Sequence, residues 1–418
     1  MNLPFGAQVR DLSRPEGSHL DTWIGRRFRM AIVASHVIQY QDPFYRSLAG
    51  QHDLDLEVLY CSDQGAKVYR DADMGTSLRW DLDLLHGYAY RFLPNLGRGE
   101  GFWRLFNPSL VGALGRGSYD AVLFMTGWAW ASAWIGFASA RFFRIPILIF
   151  GDSSFVPPEG SPKSFFRAGV LRALFAMISG FMVSGVFNAR YYRHYKVDPR
   201  RFFPMPWAID NARFLAASSL QSDERRALLA RYGISPGRMV ILFSAKFIER
   251  KDPMTLLAAY AAMKYRDRAA VVFMGDGILR AQLEAFSREH HLTDVHFTGF
   301  VNQSEIPRHY AMSDVFVLPS AFDPRATVIN EAMACGLPVI LTDRCGPVGD
   351  IAREGDNAFV FNFGDRATLT DRLDRLAADP ELRIRMGKRS REIIANWDYD
   401  AGTRGVMNAL RYVTEKPA

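Results

Sequence analysis

Short apolar runs, each followed by a helical pattern, recur through both halves of the chain and constrain its fold more than any other feature. Runs of about four to eight apolar residues between turn signals are typical of buried strands. Strands that alternate with helical segments form open parallel sheets covered on both faces. The sequence therefore predicts an α/β fold. The runs are 29–34, 54–59, 147–150 and 181–183 in the first half, and 239–243, 270–274, 295–298, 315–318, 339–342 and 358–361 in the second.

A break in this alternation divides the chain of 418 residues near Pro204–Asn211. We expect an N-terminal domain over 27–208 and a second domain over 209–390, both doubly wound and Rossmann-like, facing a cleft. Ligands of such sheets bind at the carboxyl ends of the strands. Residues 391–418 are expected to form helices that can cross back to the first domain. The polar segment 1–26 lacks the apolar core of a signal peptide, and we expect a disordered tail.

The amino-acid composition limits the kinds of binding partner that we expect. The formal net charge of +7 favours an anionic partner, such as a phosphorylated ligand or an anionic membrane. The basic and aromatic signatures of RNA-binding modules are missing, so nucleic acid is not an expected partner. Cys61, Cys335 and Cys345 are too few and too scattered for a disulfide framework or a zinc site. This cysteine usage favours a reducing, cytoplasmic location.

Two segments raise the question of a membrane. Ala121–Ala140 has no charged residue and is long enough to span a bilayer. Thr126 and Gly127 interrupt it, which favours a buried strand over 121–125 and a buried helix over about 129–143. Pro162–Phe175 is a cationic, amphipathic helical pattern. Such a helix either rests on an anionic membrane or packs on the sheet with its arginines in solvent.

The stretch Asp323–Ile340 follows the apolar run 315–318 and begins with the loop that leaves this predicted strand. A helix that starts near Ala326 and stops at Gly336 would present its N-terminus at the end of the sheet. Helix N-termini bind anions, and phosphate above all. Asp323 and Glu331 flank this position, with Glu331 on the same helical face as Thr327. Two carboxylates beside a phosphate are suited to accept hydrogen bonds from sugar or ribose hydroxyls.

Three further strand ends carry chemistry of the same kind. Lys246 and Lys251 lie in the loop after 239–243, where two cations could hold a diphosphate or could equally be a solvated turn. Gly275 opens a glycine-rich turn that lacks the spacing of a dinucleotide fingerprint. Gly299 and Val301 follow another apolar run, where backbone could approach a flat base. Because these ends succeed one another in one sheet, we expect them to form a single site.

From about Val240 to Trp397 the chain resembles the donor-binding domain of family 4 of the retaining glycosyltransferases, which have the GT-B fold. The motif that carries the resemblance is Asp323–Ile340, which is similar to the family's pattern of two glutamates separated by seven residues. The resemblance implies that Glu331 binds the ribose hydroxyls of a nucleotide-sugar. It also implies that backbone over 326–328 (Ala326, Thr327 and Val328) meets phosphate and sugar, that Lys246 and Lys251 hold the diphosphate, and that Val301 meets the base.

The motif departs from the family at two positions. Asp323 stands where the family has glutamate, and Arg325-Ala326 replaces the usual aromatic residue and glycine. Asp323 keeps the charge, with a reach shorter by about 1.5 Å, and we expect it to be catalytic. Arg325 adds a cation where the donor sugar should lie. An acidic donor sugar or an altered donor orientation is the corresponding hypothesis.

The first half is less specific. His36 follows the first apolar run, in a stretch similar to a "His-Pro-Ile-Gln-Tyr" opening of some of the same transferases. It is either a proton carrier on the acceptor side or a hydrogen-bonded loop residue. Many relatives carry a further histidine in this domain, and the corresponding region, 125–128, has none. Asp71 and Asp73, like Asp81 and Asp83, have the Asp-x-Asp spacing of some metal sites, but turns commonly show it.

Together these features predict transfer of a sugar from a nucleoside-diphosphate donor, with retention at the anomeric carbon and without a metal or other cofactor. The resemblance implies a glycan or lipid-linked acceptor, in surface polysaccharide or glycolipid synthesis. The expected location is cytoplasmic, with peripheral contact at the inner face of the membrane as an option. Two alternatives remain open: a nucleotide-sugar epimerase or hydrolase on the same fold, and a non-catalytic nucleotide-sugar-binding subunit.

Overall fold

The computed structural model describes residues 26–70, 77–78, 80–151, 153, 162–218 and 222–415. The tail predicted over 1–26 lies outside these residues, apart from Arg26. The described strands are β1 (Phe28–Ala34), β2 (Leu54–Tyr60), β3 (Tyr69–Arg70), β4 (Ser77–Leu78), β5 (Ala89–Phe92), β6 (Ala121–Phe124), β7 (Ile147–Phe150), β8 (Gly180–Val183), β9 (Phe202–Pro204), β10 (Met239–Ser244), β11 (Ala269–Met274), β12 (Val295–Gly299), β13 (Val315–Leu318), β14 (Val339–Thr342) and β15 (Ala358–Phe361).

The α-helices alternate with these strands as the sequence predicts. Those described are α1 (Asp42–Ala49), α2 (Leu110–Gly117), α3 (Ala131–Phe142), α4 (Pro162–Ala176), α5 (Val186–His194), α6 (Asn211–Ala217), α7 (Ser222–Arg231), α8 (Pro253–Ala261), α9 (Arg280–Glu289), α10 (Ile306–Met312), α11 (Thr327–Ala334), α12 (Arg366–Ala378), α13 (Pro380–Ile394) and α14 (Tyr399–Glu415).

The chain divides into two compact units. The first comprises Met1–Tyr69, Asp83–Trp207 and Tyr399–Ala418, and the second comprises Arg70–Leu82 and Ala208–Asp398. The division after Trp207 lies one residue before the predicted boundary. The predicted start of the C-terminal helices at residue 391 falls inside α13, which belongs to the second unit, whereas α14 belongs to the first.

The first unit contains a parallel sheet with the order β5-β2-β1-β6-β7-β8-β9 among its described strands. Neighbouring residues of β1 serve opposite faces of this sheet: Ala31 and Val33 pack in one core cluster, and Met30 and Ile32 in the other. A strand that is covered on both faces has no polar side to show, which explains its near-continuous apolar sequence.

The second unit repeats this construction, with the order β12-β11-β10-β13-β14-β15 among the described strands. All of its pairings are parallel. Val240 and Leu242 of β10 pack in one core cluster, while Ile241 and Phe243 pack in the other. Two parallel-sheet α/β units confirm the predicted fold class.

The uncharged stretch 121–140 forms β6 and α3, which confirms the interpretation as a strand followed by a helix. The four residues of β6 are all buried. No helix among the described residues is long and apolar enough to cross a membrane.

Helix α14 returns to the first unit and packs where side chains are small. A Cβ on Gly405 would lie 1.7 Å from the carbonyl oxygen of Pro204, and one on Gly402 would lie 3.1 Å from the ring of Phe44. Only glycine permits the first approach. Tyr399 Oη donates a hydrogen bond to the carbonyl of Tyr40 at 3.1 Å. These contacts fix the helix against β9 and α1.

Candidate functional site

The order of the second sheet reverses between β10 and β13. β11 and β12 follow β10 on one side, whereas β13, β14 and β15 lie on the other. Loops that leave the two strands at such a switch point diverge and leave a crevice at their carboxyl ends. The loop 245–252 after β10 and the loop 319–326 after β13 are therefore the first place to look for a ligand site.

The loop after β13 ends in a helix N-terminus. Ala326 has left-handed backbone angles, φ +43° and ψ +48°, and α11 begins at Thr327. A residue with a Cβ pays about 1 kcal/mol or more for this conformation, so the surroundings must hold it. Asp323 supplies that support, since its Oδ1 accepts a hydrogen bond from Ala326 N–H at 3.0 Å. Ile329 N–H donates to the carbonyl of Ala326 at 2.8 Å. The N–H groups of Thr327 and Val328 precede the helical hydrogen-bond ladder and favour an anion.

The other end of α11 stops as predicted. Gly336 has φ +78°, the left-handed region that suits glycine. Its N–H donates to the carbonyl of Met333 at 2.9 Å, and Leu337 N–H donates to that of Ala332 at 3.0 Å. This pair of bonds is the Schellman arrangement, which satisfies the last carbonyls of a helix. Helix α11 is therefore held at both ends.

Lys251 and Asp323 meet between the two loops. Lys251 Nζ donates to Asp323 Oδ2, and their side chains are only 14% and 8% exposed. Two further hydrogen bonds join the same loops: Ala321 N–H donates to the carbonyl of Arg250 at 2.9 Å, and the side-chain Nη1 of Arg250 donates to that of Phe322 at 3.0 Å. A predicted diphosphate-binding cation and the first carboxylate of the motif are thus in direct contact.

The loop after β14 supports the motif from a second side. Asp323 N–H donates to the carbonyl of Arg344 at 3.3 Å, and Gly346 N–H donates to that of Asp323 at 2.8 Å. A Cβ at Gly346 would lie 2.1 Å from the carbonyl oxygen of Pro324, so only glycine allows this approach. The backbone around Asp323 is consequently fixed on both sides.

Gly275 lies against the loop that carries Lys246. Its N–H donates to the carbonyl of Gly299 at 3.0 Å. A Cβ at Gly275, where φ is +141°, would lie 2.1 Å from the carbonyl oxygen of Ala245. The glycine-rich turn after β11 therefore brings together the ends of β10, β11 and β12. Val301, two residues after Gly299, is partly buried against the core of this unit.

Glu331 sits on α11 in an environment that disfavours its charge. Burial raises its pKa from 4.5 to about 7, although the Tyr310 hydroxyl and the Arg213 charge act in the opposite direction. Burial also raises the pKa of Tyr310 well above its usual range, so this side chain remains a neutral hydroxyl. Ser244, the last residue of β10, lies beside the same hydroxyl. The Tyr310 hydroxyl thus lies near both Glu331 and the end of β10.

The structure brings some of the predicted site residues into contact and leaves others apart. Asp323 is in direct contact with both Lys251 and Ala326, and Glu331 lies one turn beyond Thr327 on the same helix. Arg325, which lies between Asp323 and Ala326 in the sequence, is partly buried. His36 belongs to the first unit, where its Nδ1 lies 2.9 Å from Ser35 Oγ at the end of β1.

Sequence reasoning missed a short segment of the first half that belongs to the second unit. The Trp80 ring lies 6.4 Å from that of Phe300, the residue before Val301. The Asp81 carboxylate accepts a hydrogen bond from Ser304 N–H at 3.2 Å. Only the long-range contact reveals this role, since nothing local to Trp80 points to the second unit.

Asp81 therefore caps a turn of the second unit. Asp71 and Asp73, the other Asp-x-Asp pair, lie outside the described residues. Within the part of the chain that the structure describes, no group of three His, Cys, Asp or Glu side chains is placed to hold a metal ion.

Known proteins share this fold. The crystal structure of Anabaena HepE in complex with UDP aligns with 92% of this chain and 99% of that chain, with a TM-score of 0.71 and 15% identity. The fold is the GT-B fold. Residues 224–393 match the glycosyl transferases group 1 family. The matched region contains the whole Asp323–Ile340 motif.

Two curated relatives are named glycosyltransferases. The sulfoquinovosyl transferase SQD2 of Arabidopsis thaliana is 36% identical over 143 residues, which is 34% of this chain and 27% of that protein. The D-inositol 3-phosphate glycosyltransferase of Streptomyces bingchenggensis is 26% identical over 405 residues, 87% of this chain and 85% of that protein. The chain thus matches about a quarter of the first relative's length and most of the second's.

Proposed function

We propose that this protein transfers a sugar from a nucleoside-diphosphate donor to an acceptor hydroxyl, with retention at the anomeric carbon. The observation that carries the proposal is the contact of Lys251 with Asp323 beside the N-terminus of α11. A cation, a carboxylate and free helical N–H groups at one switch point suit a ligand that has both phosphate and hydroxyl groups. The match of residues 224–393 to the glycosyl transferases group 1 family supports the reaction class.

In this proposal the donor spans the ends of β10, β13 and β12. Its diphosphate binds Lys246, Lys251 and the N–H groups of Thr327 and Val328. The ribose hydroxyls bind Glu331, and the base meets the backbone at Val301, beside the glycine-rich turn at Gly275. The UDP that the Anabaena relative binds supports a nucleotide ligand for this fold.

The chemical step breaks the bond between the anomeric carbon and the diphosphate oxygen and forms a bond from that carbon to the acceptor oxygen on the same face. The proton of the acceptor hydroxyl passes to the leaving diphosphate. Negative charge grows on the leaving diphosphate, where the two lysines and the helix N-terminus stabilise it. These groups supply positive charge without a metal, and we propose a metal-independent reaction. Asp323 accepts a hydroxyl of the donor sugar through lone pairs that Lys251 and Ala326 leave open, because a carboxylate has about four acceptor positions. His36 is proposed to act on the acceptor side.

A glycan or a lipid-linked molecule is the proposed acceptor, and the cytoplasmic face of a membrane the proposed location. The excess of basic side chains, 51 against 44 acidic, favours such a surface. The D-inositol 3-phosphate glycosyltransferase covers most of this chain, so a small polyol acceptor deserves a place in the first screen.

The experiment is a donor screen by calorimetry with UDP-, GDP- and ADP-linked sugars, followed by a transfer assay with EDTA present. Binding followed by acceptor-dependent release of nucleoside diphosphate, with the product's anomeric configuration matching the donor's, supports the proposal. Acceptor-independent turnover indicates a hydrolase or epimerase. Binding without any turnover indicates a nucleotide-sugar-binding subunit, and either result overturns the proposal.

A further inference from the structure

The outer face of α4 is apolar although it faces solvent. Phe166, Val170 and Met177 are 75%, 38% and 39% exposed, and exposed Ala173 lies between them. Their spacing of four, three and four residues follows one side of a helix. The opposite side of the same helix packs in the core of the first unit through Leu171, Leu174 and Phe175. A helix that is apolar on two faces normally has a partner on both.

The end of the neighbouring helix α3 extends this apolar face. Phe142 is 79% exposed, and its ring stands perpendicular to that of Phe143, with ring centroids 5.0 Å apart. A cavity of about 530 Å³ joins the two helices, because it is lined by Trp134 and Phe142 of α3 and by Met177 after α4. The exposed end of α3 and Met177, the last residue of the apolar face of α4, therefore line one cavity.

The surface is also cationic. Arg141 and Arg144 line the same cavity, and Arg167 and Arg172 are exposed along α4. Neither helix contains an aspartate or a glutamate. The sequence has no acidic residue at all from 121 to 151 or from 160 to 197. Exposed phenylalanines bordered by arginines, with no carboxylate among them, match the apolar interior and negative headgroups of an anionic bilayer.

We propose that this α3–α4 surface binds an anionic lipid bilayer. We define it by Phe142, Phe165, Phe166, Val170 and Met177, with Arg141, Arg144, Arg167 and Arg172 around them. The phenylalanine rings enter the boundary between headgroups and acyl chains while the guanidinium groups bind headgroup phosphates. The proposal names the surface and lipid charge that the proposed function leaves open. All of these residues lie in the first unit and none belongs to the donor site, so binding and transfer can be measured separately.

The test is sedimentation of the full chain with vesicles of phosphatidylcholine alone and of phosphatidylglycerol mixed with phosphatidylcholine. We expect binding to the anionic vesicles at least about tenfold stronger than to the neutral ones, and weaker in high salt. The variant Phe165→Ser/Phe166→Ser should bind the anionic vesicles about tenfold more weakly. The variant Arg141→Gln/Arg144→Gln should lose the part of the vesicle affinity that depends on salt concentration. The matched controls Ile384→Ser and Arg366→Gln change exposed residues of the second unit and should bind as the wild type does.

Three results would overturn the proposal: no vesicle binding by the wild type, equal binding to neutral vesicles, or wild-type binding by the Phe165/Phe166 variant. Self-association that this variant abolishes, without lipid binding, would assign the surface to a second copy of the chain. Transfer to a soluble acceptor should stay unchanged in all four variants. If the wild type binds vesicles but shows no sugar transfer, the proposed function alone is refuted.

Discussion

Lys251 and Asp323, separated by 72 residues, form an ion pair that joins the loops after β10 and β13. The pair is almost enclosed, so each charge depends on the other. Asp323 also holds the left-handed turn at Ala326 through its second oxygen. One carboxylate thus positions a cation and a helix N-terminus, the two features that would bind a diphosphate.

Asp323→Asn is expected to reduce transfer on the order of 100-fold while nucleotide affinity changes little, because the amide removes charge where we propose that the reacting sugar binds. It should also lower the free energy of unfolding by about 3 kcal/mol, since Lys251 loses its buried partner. Single-turnover kinetics, calorimetry and chemical denaturation check the three quantities. The control Asp371→Asn alters an exposed carboxylate of α12, and wild-type turnover in Asp323→Asn would remove the catalytic role.

If Glu331 binds the donor as proposed, donor binding should depend on pH. Its pKa of about 7 means that the carboxylate ionises as pH rises through neutrality, and the ionised form accepts ribose hydroxyls best. Affinity for a nucleotide-sugar, whose diphosphate does not titrate in this range, should therefore rise between about pH 6 and pH 8. Glu331→Gln should abolish this rise, whereas Glu289→Gln, an exposed change, should keep it. An unchanged pH profile in Glu331→Gln would contradict the assignment.

Glu331 should make the stability of the folded chain fall as pH rises, whereas donor affinity should increase. The pKa of Glu331 is raised above its ordinary value of 4.5, so the folded chain binds this proton more tightly than the unfolded chain does. Its contribution to the free energy of unfolding is therefore fully present below about pH 4.5 and is lost as pH rises to about 7. Denaturation of the ligand-free protein should show Glu331→Gln gaining stability over the wild type across this window. A constant difference between the two would argue against a raised pKa.

Gly275→Ala should destabilise the second unit and weaken nucleotide binding together. The new Cβ would lie 2.1 Å from a carbonyl oxygen in the loop of Lys246, and that loop must move. We expect a loss of about 3 kcal/mol or more in the free energy of unfolding, from clash and backbone strain combined. Gly364→Ala is the matched control, because its φ is +89° with nothing within 4 Å of a Cβ. It should cost only about 1 kcal/mol and leave nucleotide affinity intact.

Substitutions of Arg325 test the hypothesis that the donor sugar is acidic. If its guanidinium faces an acidic group on the sugar, Arg325→Ala should lower kcat/KM for that donor by about tenfold or more, and Arg325→Lys should retain part of it. A neutral donor with the same nucleotide should lose little. Steady-state kinetics with paired charged and neutral donors measures the ratio. Equal losses for both donors would show that Arg325 supports the loop and does not select the sugar.

The sequence predicts the helices and strands of this fold well, because each of them depends mainly on residues that are neighbours in the chain. The run 315–318 is the strand β13, and Gly336 ends α11 through a conformation that glycine favours. The partners of the motif are less accessible to sequence reasoning. Tyr310 and Ser244 beside Glu331, and Trp80 beside Phe300, come from distant segments, and no local pattern connects them. The role of His36 stays a prediction, since the contact described for it is within the first unit.

The chain crosses between the two units several times, which limits how the units can be produced as separate fragments. It passes from one unit to the other after Tyr69, Leu82, Trp207 and Asp398. A single cut cannot yield two complete halves: a fragment ending at Trp207 would lack the helix that covers Pro204, and one starting at Ala208 would lack Trp80 and Asp81. Exchange of the second unit between relatives should therefore carry residues 70–82 with it and leave 399–415 with the first unit.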